Sequence, residues 1–228
     1  MASLHTDKEY EAELRALREA ILVMGAKVEA LIGQGMKALD ARDGDLARIT
    51  IEADREVNAL ELQIDERCLR ILARRQPVAS DLRFITMALK LVTDLERIGD
   101  LAKNICERVL ELGAEPPLPI PGELGKLSDV ARSMLRDALD AFVAGDAERA
   151  EAVIARDRIA DAYHADIFRN FLTNMTGDGA LVTRATRVQS ISKCLERIAD
   201  HATNVAEMVV FMVSGKDIRH TPWKPPKL

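Results

Sequence analysis

Aromatic residues are scarce in this 228-residue chain: five phenylalanines, two tyrosines and one tryptophan make up 4% of it. Strands need aromatic and β-branched side chains, whereas Ala, Leu, Arg, Glu and Asp, which abound here, favour helices. An all-α protein is expected. Cysteine is also sparse, and Cys68, Cys106 and Cys194 are odd in number, far apart and each set in an apolar helical pattern. They read as reduced thiols packed as small hydrophobes in a cytosolic protein. No apolar run approaches the ~20 residues needed to span a bilayer; the densest, "AILVMGA" and "MVVFMV", are far too short. The N-terminal "MASLHTDKEYEAELRALREAI" turns charged at once and has no signal-peptide core, so export and direct membrane insertion are not expected. Net charge is −5, with bases interspersed among acids. Such a surface does not grip a phosphate backbone, and direct binding of nucleic acid is not expected.

Where apolar residues do occur, they are periodic. Leu14, Leu17, Ile21, Met24, Val28, Leu31 and Leu39 recur at three- and four-residue steps, predicting a helix from Asp7 to about Ala41. After "ARDGD" a second helix runs from about Asp45 to Arg75, and Pro77 ends it. Ser80 is the expected N-cap of a third, reaching about Leu112. "GAEPPLPIPGELG" holds four prolines and reads as a connection between domains. The cycle then repeats with a helix from about Gly122 to Val143, a break at "AGDAE", one helix to about Met175, a break at "TGDG" and a last helix to Val213. The expected architecture is two tandem three-helix bundles related by an internal repeat. Residues 1–113 form the first, 114–122 a Pro-rich linker, 123–214 the second and 215–228 a tail, where Trp223 is a surface anchor or part of a mobile end.

The repeat is plainest in "LERIGDLAKNICERV", from Leu95, and "LERIADHATNVAEMV", a hundred residues later, which share nine identical positions. At 100° per residue Glu96, Asp100, Asn104 and Glu107 fall at about 0, 40, 80 and 20°, one polar stripe bordering the core-facing arc. Glu196, Asp200, Asn204 and Glu207 reproduce it. The preceding helix carries a second stripe, Asp54, Asn58, Glu61 and Asp65, matched in the other half by Asp157, Asp161, His164 and Phe168. Two antiparallel helices with such stripes facing would gather carboxylates whose repulsion only protons or cations relieve. Asp54, Glu61, Glu96, Asp100, Asp157, Asp161, Glu196 and Asp200 are therefore the expected metal ligands. An oxygen-rich set suits Mg, Mn, Ca or Fe, and His164 would admit Zn.

Catalytic signatures are missing. The chain has no glycine-rich phosphate loop, CxxC pair or nucleophile-elbow serine, and His5, His164, His201 and His220 form no ligand cluster. Asp161-x-x-His164 is one imperfect copy of a motif that di-iron bundles need twice. A non-enzyme is expected. The alternatives are a metal-dependent carboxylate helix-bundle enzyme, and a scaffold whose acids only pair with Arg97, Arg197 and their neighbours.

"DLERIGDLAKNICE", "CLERIADHATNVAE", "DERCLRILARRQPVASDLRFI" and "GKDIRHT" together resemble the PhoU family of phosphate-signalling regulators over nearly the whole chain. The resemblance implies tandem three-helix bundles whose ExxxD and DxxxD motifs bind metal, here Glu96 with Asp100, Glu196 with Asp200 and Asp157 with Asp161. The first upstream motif departs from it: Asp54 is followed by Asn58 in place of an acid, with Glu61 one turn on as the substitute. "QPVASDLR" has no twin in the second half, where "GALVTRATR" stands. The resemblance further implies a cytoplasmic homodimer that represses the phosphate-starvation response by linking a phosphate ABC transporter's ATPase to a sensor histidine kinase.

Overall fold

The computed structural model describes residues 2–174 and 179–218, and these contain helices and no strand. The helices are α1 (Ala2–Ala41), α2 (Gly44–Arg75), α3 (Ala79–Gly113), α4 (Gly122–Ala144), α5 (Ala147–Ile154), α6 (Asp157–Asn174) and α7 (Gly179–Ser214). Trp223, His220 and most of the "TGDG" break lie outside the described residues. Among the described residues no helix is long and apolar enough to cross a membrane.

Helices α1 to α3 make one three-helix bundle, and α4, the α5–α6 pair and α7 make the other. One expected helix is in fact two. Backbone i→i+3 hydrogen bonds at Arg156 and Ile159 interrupt the α-helical ladder between Ile154 and Asp157. No proline or glycine marks the place. The turn lets the Arg156 guanidinium reach Asp137 on α4 at 2.5 Å, an interaction across helices that local pattern does not encode. Helix starts also differ in detail. Asp43 caps α2 through hydrogen bonds from the Asp45 and Leu46 amides, and Asp146 caps α5 through the Arg149 amide. At α3 the N-cap is Val78, with no side-chain bond, and not Ser80; Gln76 and Ala79 on either side of it take left-handed φ of 49° and 46°. The sharp reversal after Pro77 starts the helix one residue before the serine.

The bundles share one continuous core. Phe84 of α3 stacks on Phe142 of α4 with ring centroids 5.4 Å apart, and Arg18 lies over the Phe84 ring. Helix α1 crosses α4 so closely that a Cβ at Gly25 would overlap Leu139 Cδ1. Glu29 of α1 pairs there with Arg132 and Arg136 of α4. The antiparallel seam of α3 and α7 is the other joint: Arg187 pairs with Glu111 at 2.9 Å and with Glu115, while at the opposite end Asp94 meets His201.

Candidate metal centres

Both pairs of stripes face one another, one pair in each bundle, and the two places differ. In the second bundle α6 and α7 bring Asp161, Glu196 and Asp200 together, with one carboxylate oxygen of each within 4.8 Å of the others. Asp157, one turn before Asp161, accepts a hydrogen bond from Thr203 Oγ1 at 3.1 Å. Its carboxyl is pushed above the usual range, by burial first and then by Asp161 and Glu196, with Thr203 opposing. Asp200 is pushed up to about 6 by burial, by Glu196 and by Asp157, with Lys193 opposing. Like charges and lost water raise these values because both disfavour the ionised form. A hard cation reverses that balance, and three convergent carboxylate oxygens are the donors such an ion takes. Lys193 Nζ sits 2.5 Å from Glu196.

In the first bundle the corresponding acids are nearby but looser. Asp54 of α2 is 2% exposed, and its Oδ1, like Asp65 Oδ1, is buried without a hydrogen-bond partner. Gly99 makes that burial possible, since its absent Cβ would stand 3.0 Å from Asp54 Oδ1 and 3.3 Å from Val57. Burial and then Asp100 raise the Asp54 carboxyl, while Lys103 and the Asn58 amide favour its charged form. So Asn58, the departure from the expected acid pair, acts as a donor toward its neighbour. Glu61 and Glu96 are raised by burial, then by Asp65 and Asp100 respectively. Arg97 bridges Glu96 at 3.5 Å and Asp100 at 3.8 Å. The orphaned oxygens of Asp54 and Asp65 are the sign that a cation suits this place too, because a buried polar atom without a partner is costly.

Two stripe residues take hydrogen-bond partners outside the carboxylate groups. Asn204 does not join the acids of the second cluster; its Nδ2 donates to Asp94 Oδ1 of α3 at 3.2 Å. An 80° offset along the stripe was enough to turn it from α6 to α3. His164 points Nδ1 at Ser192 Oγ, 2.8 Å away, tying α6 to α7 one turn before Glu196. Three features escaped the sequence reading: Gly99 as spacer, Lys193 beside Glu196, and Asp94 as an acid of the α3–α7 seam. Asp65, one turn after Glu61 in the same stripe, is raised by burial as the other acids of this bundle are.

Burial pushes the Cys68 thiol up to about 12 and the Cys106 thiol to about 11, which leaves neither as a nucleophile. The PhoU domain family model matches the chain twice, at residues 21–109 and 124–209. The phosphate-specific transport system accessory protein PhoU homolog of Pseudomonas putida is 42% identical over 95% of this chain and 85% of its own length. The corresponding protein of Escherichia coli K12 is 36% identical over 95% of this chain and 90% of its own. The crystal structure of PhoU from Pseudomonas aeruginosa superposes with a TM-score of 0.86 at 39% identity, covering 91% of this chain and all of that one. The Streptococcus pneumoniae phosphate transport system regulatory protein PhoU gives 0.83 at 28% identity, covering 91% and 98%. With both repeats matched and the fold shared over 91% of its length, this chain belongs to the PhoU family.

Proposed function

We propose that this protein is a regulatory accessory of a phosphate transport system: a metal-binding adaptor that restrains phosphate uptake and starvation signalling when phosphate is plentiful. The observation that carries the reading is likeness along 95% of the chain to proteins named for that accessory role. The adaptor is cytoplasmic, homodimeric and not an enzyme. It links the ATPase of a phosphate ABC transporter to a sensor histidine kinase. Asp157, Asp161, Glu196 and Asp200 hold metal in the second bundle, and Asp54, Glu61, Glu96 and Asp100 in the first. Mg, Mn, Fe and Zn are the candidate ions, with the oxygen donors favouring the harder ones. A bound cation would offset the carboxylate repulsion in each cluster and stiffen the helix pair that carries it.

Deleting the gene tests the regulatory part. Derepression of phosphate-responsive transcription in phosphate-rich medium is expected, and unchanged repression would overturn the reading. Elemental analysis of the purified protein and of its Asp100→Asn and Asp200→Asn variants tests the metal part. Metal that falls with each substitution is expected; a metal-free parent that gains no thermal stability from any of the four ions would leave only the adaptor role.

A further inference from the structure

We infer that the α3–α7 seam holds a binding site for a small tetrahedral oxyanion, phosphate or sulfate, beside Arg108, Lys193 and Arg197. The two ends of this seam are related by the internal repeat, and one end shows what the other lacks. At the first end the carboxylate of Asp94 lies 2.7 Å from His201 Nδ1 and 3.2 Å from Asn204 Nδ2. A shift of one hundred residues carries Asp94 to Cys194, Asn204 to Asn104 and His201 to Leu101. The amide is kept and the acid is gone. In its place is an open cavity of about 330 Å³ lined by Leu101, Asn104, Arg108, Ser190, Lys193, Cys194 and Arg197.

The lining contains three basic side chains, an amide and a hydroxyl, and no carboxylate. Guanidinium forks and an ammonium match a tetrahedral oxyanion, whose oxygens accept several charge-assisted hydrogen bonds at once. Two of the cations have acidic neighbours at the rim: Lys193 lies 2.5 Å from Glu196, and Arg108 lies 2.9 Å from Glu111 and 3.7 Å from Glu107. An anion in the cavity shares those cations with the rim acids. The site rests on seam geometry and is independent of the regulatory reading.

Calorimetric titration of chelator-treated protein with inorganic phosphate, sulfate and acetate tests it, the chelator excluding an anion held through metal. Saturable binding of phosphate or sulfate, with acetate much weaker, is expected. Arg108→Met, which copies Met208 of the other end, and Arg197→Gln should each weaken binding about tenfold or more, the scale of one charge-assisted hydrogen bond. Cys194→Asp should abolish it by supplying the missing carboxylate internally. Arg55→Gln, on an exposed face of α2, should leave it unchanged. Absence of saturable binding, or binding that Arg108→Met and Arg197→Gln leave intact, overturns the site. If Cys194→Asp fails to fold, the two arginine variants decide alone.

Discussion

Asp200 carries more of the second cluster's charge repulsion than its exposed position suggests. With its folded value at about 6 against an ordinary 3.8, the folded state holds this proton more tightly than the unfolded chain does. Stability from that proton is fully present below 3.8 and is lost as pH rises through about 6. Asp54, Asp65, Glu61, Glu96 and Asp157 are raised as well and add in the same direction. Glu13 and Asp137 are lowered by arginines, so their losses come only at more acid pH. Chelator-treated protein should therefore melt at falling temperature between pH 4.5 and 6.5, as followed by circular dichroism. Replacing Asp200 by Asn should flatten that slope and raise the metal-free melting temperature by ~2–4 °C, about 1 kcal/mol after solvent screening. Added Mg or Mn should raise the melting temperature of the parent at neutral pH and have less effect on this variant. A parent slope that rises over the same range would contradict the assignment of these shifts.

Between elements, caps and spacers set how the helices start and how near they come. Asp43 and Asp146 each accept backbone amides that the first helical turn leaves unpaired. Changing either to Ala should cost about 1 kcal/mol, whereas Ser80→Ala should cost little because Ser80 caps nothing; urea denaturation midpoints distinguish them. Gly25 is the spacer between α1 and α4. Gly25→Val would drive a side chain into Leu139, forcing the helices apart at a cost of roughly 1–3 kcal/mol. The paired change Gly25→Ala with Leu139→Ala should be less damaging than Leu139→Ala alone, because the new methyl occupies part of the vacated space.

Across the whole molecule, the two repeats are not independent beads. Phe84 on Phe142, Gly25 against Leu139 and the α3–α7 seam place one core beneath both bundles. Unfolding should accordingly be one cooperative transition, with calorimetric and van't Hoff enthalpies in agreement. Asp94→Ala removes the acid that His201 and Asn204 share across the seam, and should lower the melting temperature without splitting the transition. Two resolved transitions in the parent would show that the seam is weaker than its packing implies.

The amino-acid pattern alone determined the helical class, the order of the helices, the doubling and the acid stripes, because heptad-like apolar spacing, Gly-Asp and proline breaks, and the 100-residue register are all local or self-referential. Even the bounds of α3, from Ala79 to Gly113, were legible to within two residues. The split at Ala155 was not, because no proline or glycine marks it and the contact it accompanies, Arg156 with Asp137, lies on another helix. Nor was the difference between the halves: facing stripes were expected in both, but Asp161, Glu196 and Asp200 close into one cluster while Arg97 spans the acids of the first. A stripe states which side of a helix is polar. How close the facing helix comes depends on spacers such as Gly99 and on which cation lies across the gap, and both are settled by packing between segments distant in the chain. The same holds for Asn104 and Asn204: the repeat kept them in register with the acids, and only the antiparallel seam showed that Asn204 serves Asp94 while Asn104 borders a basic cavity.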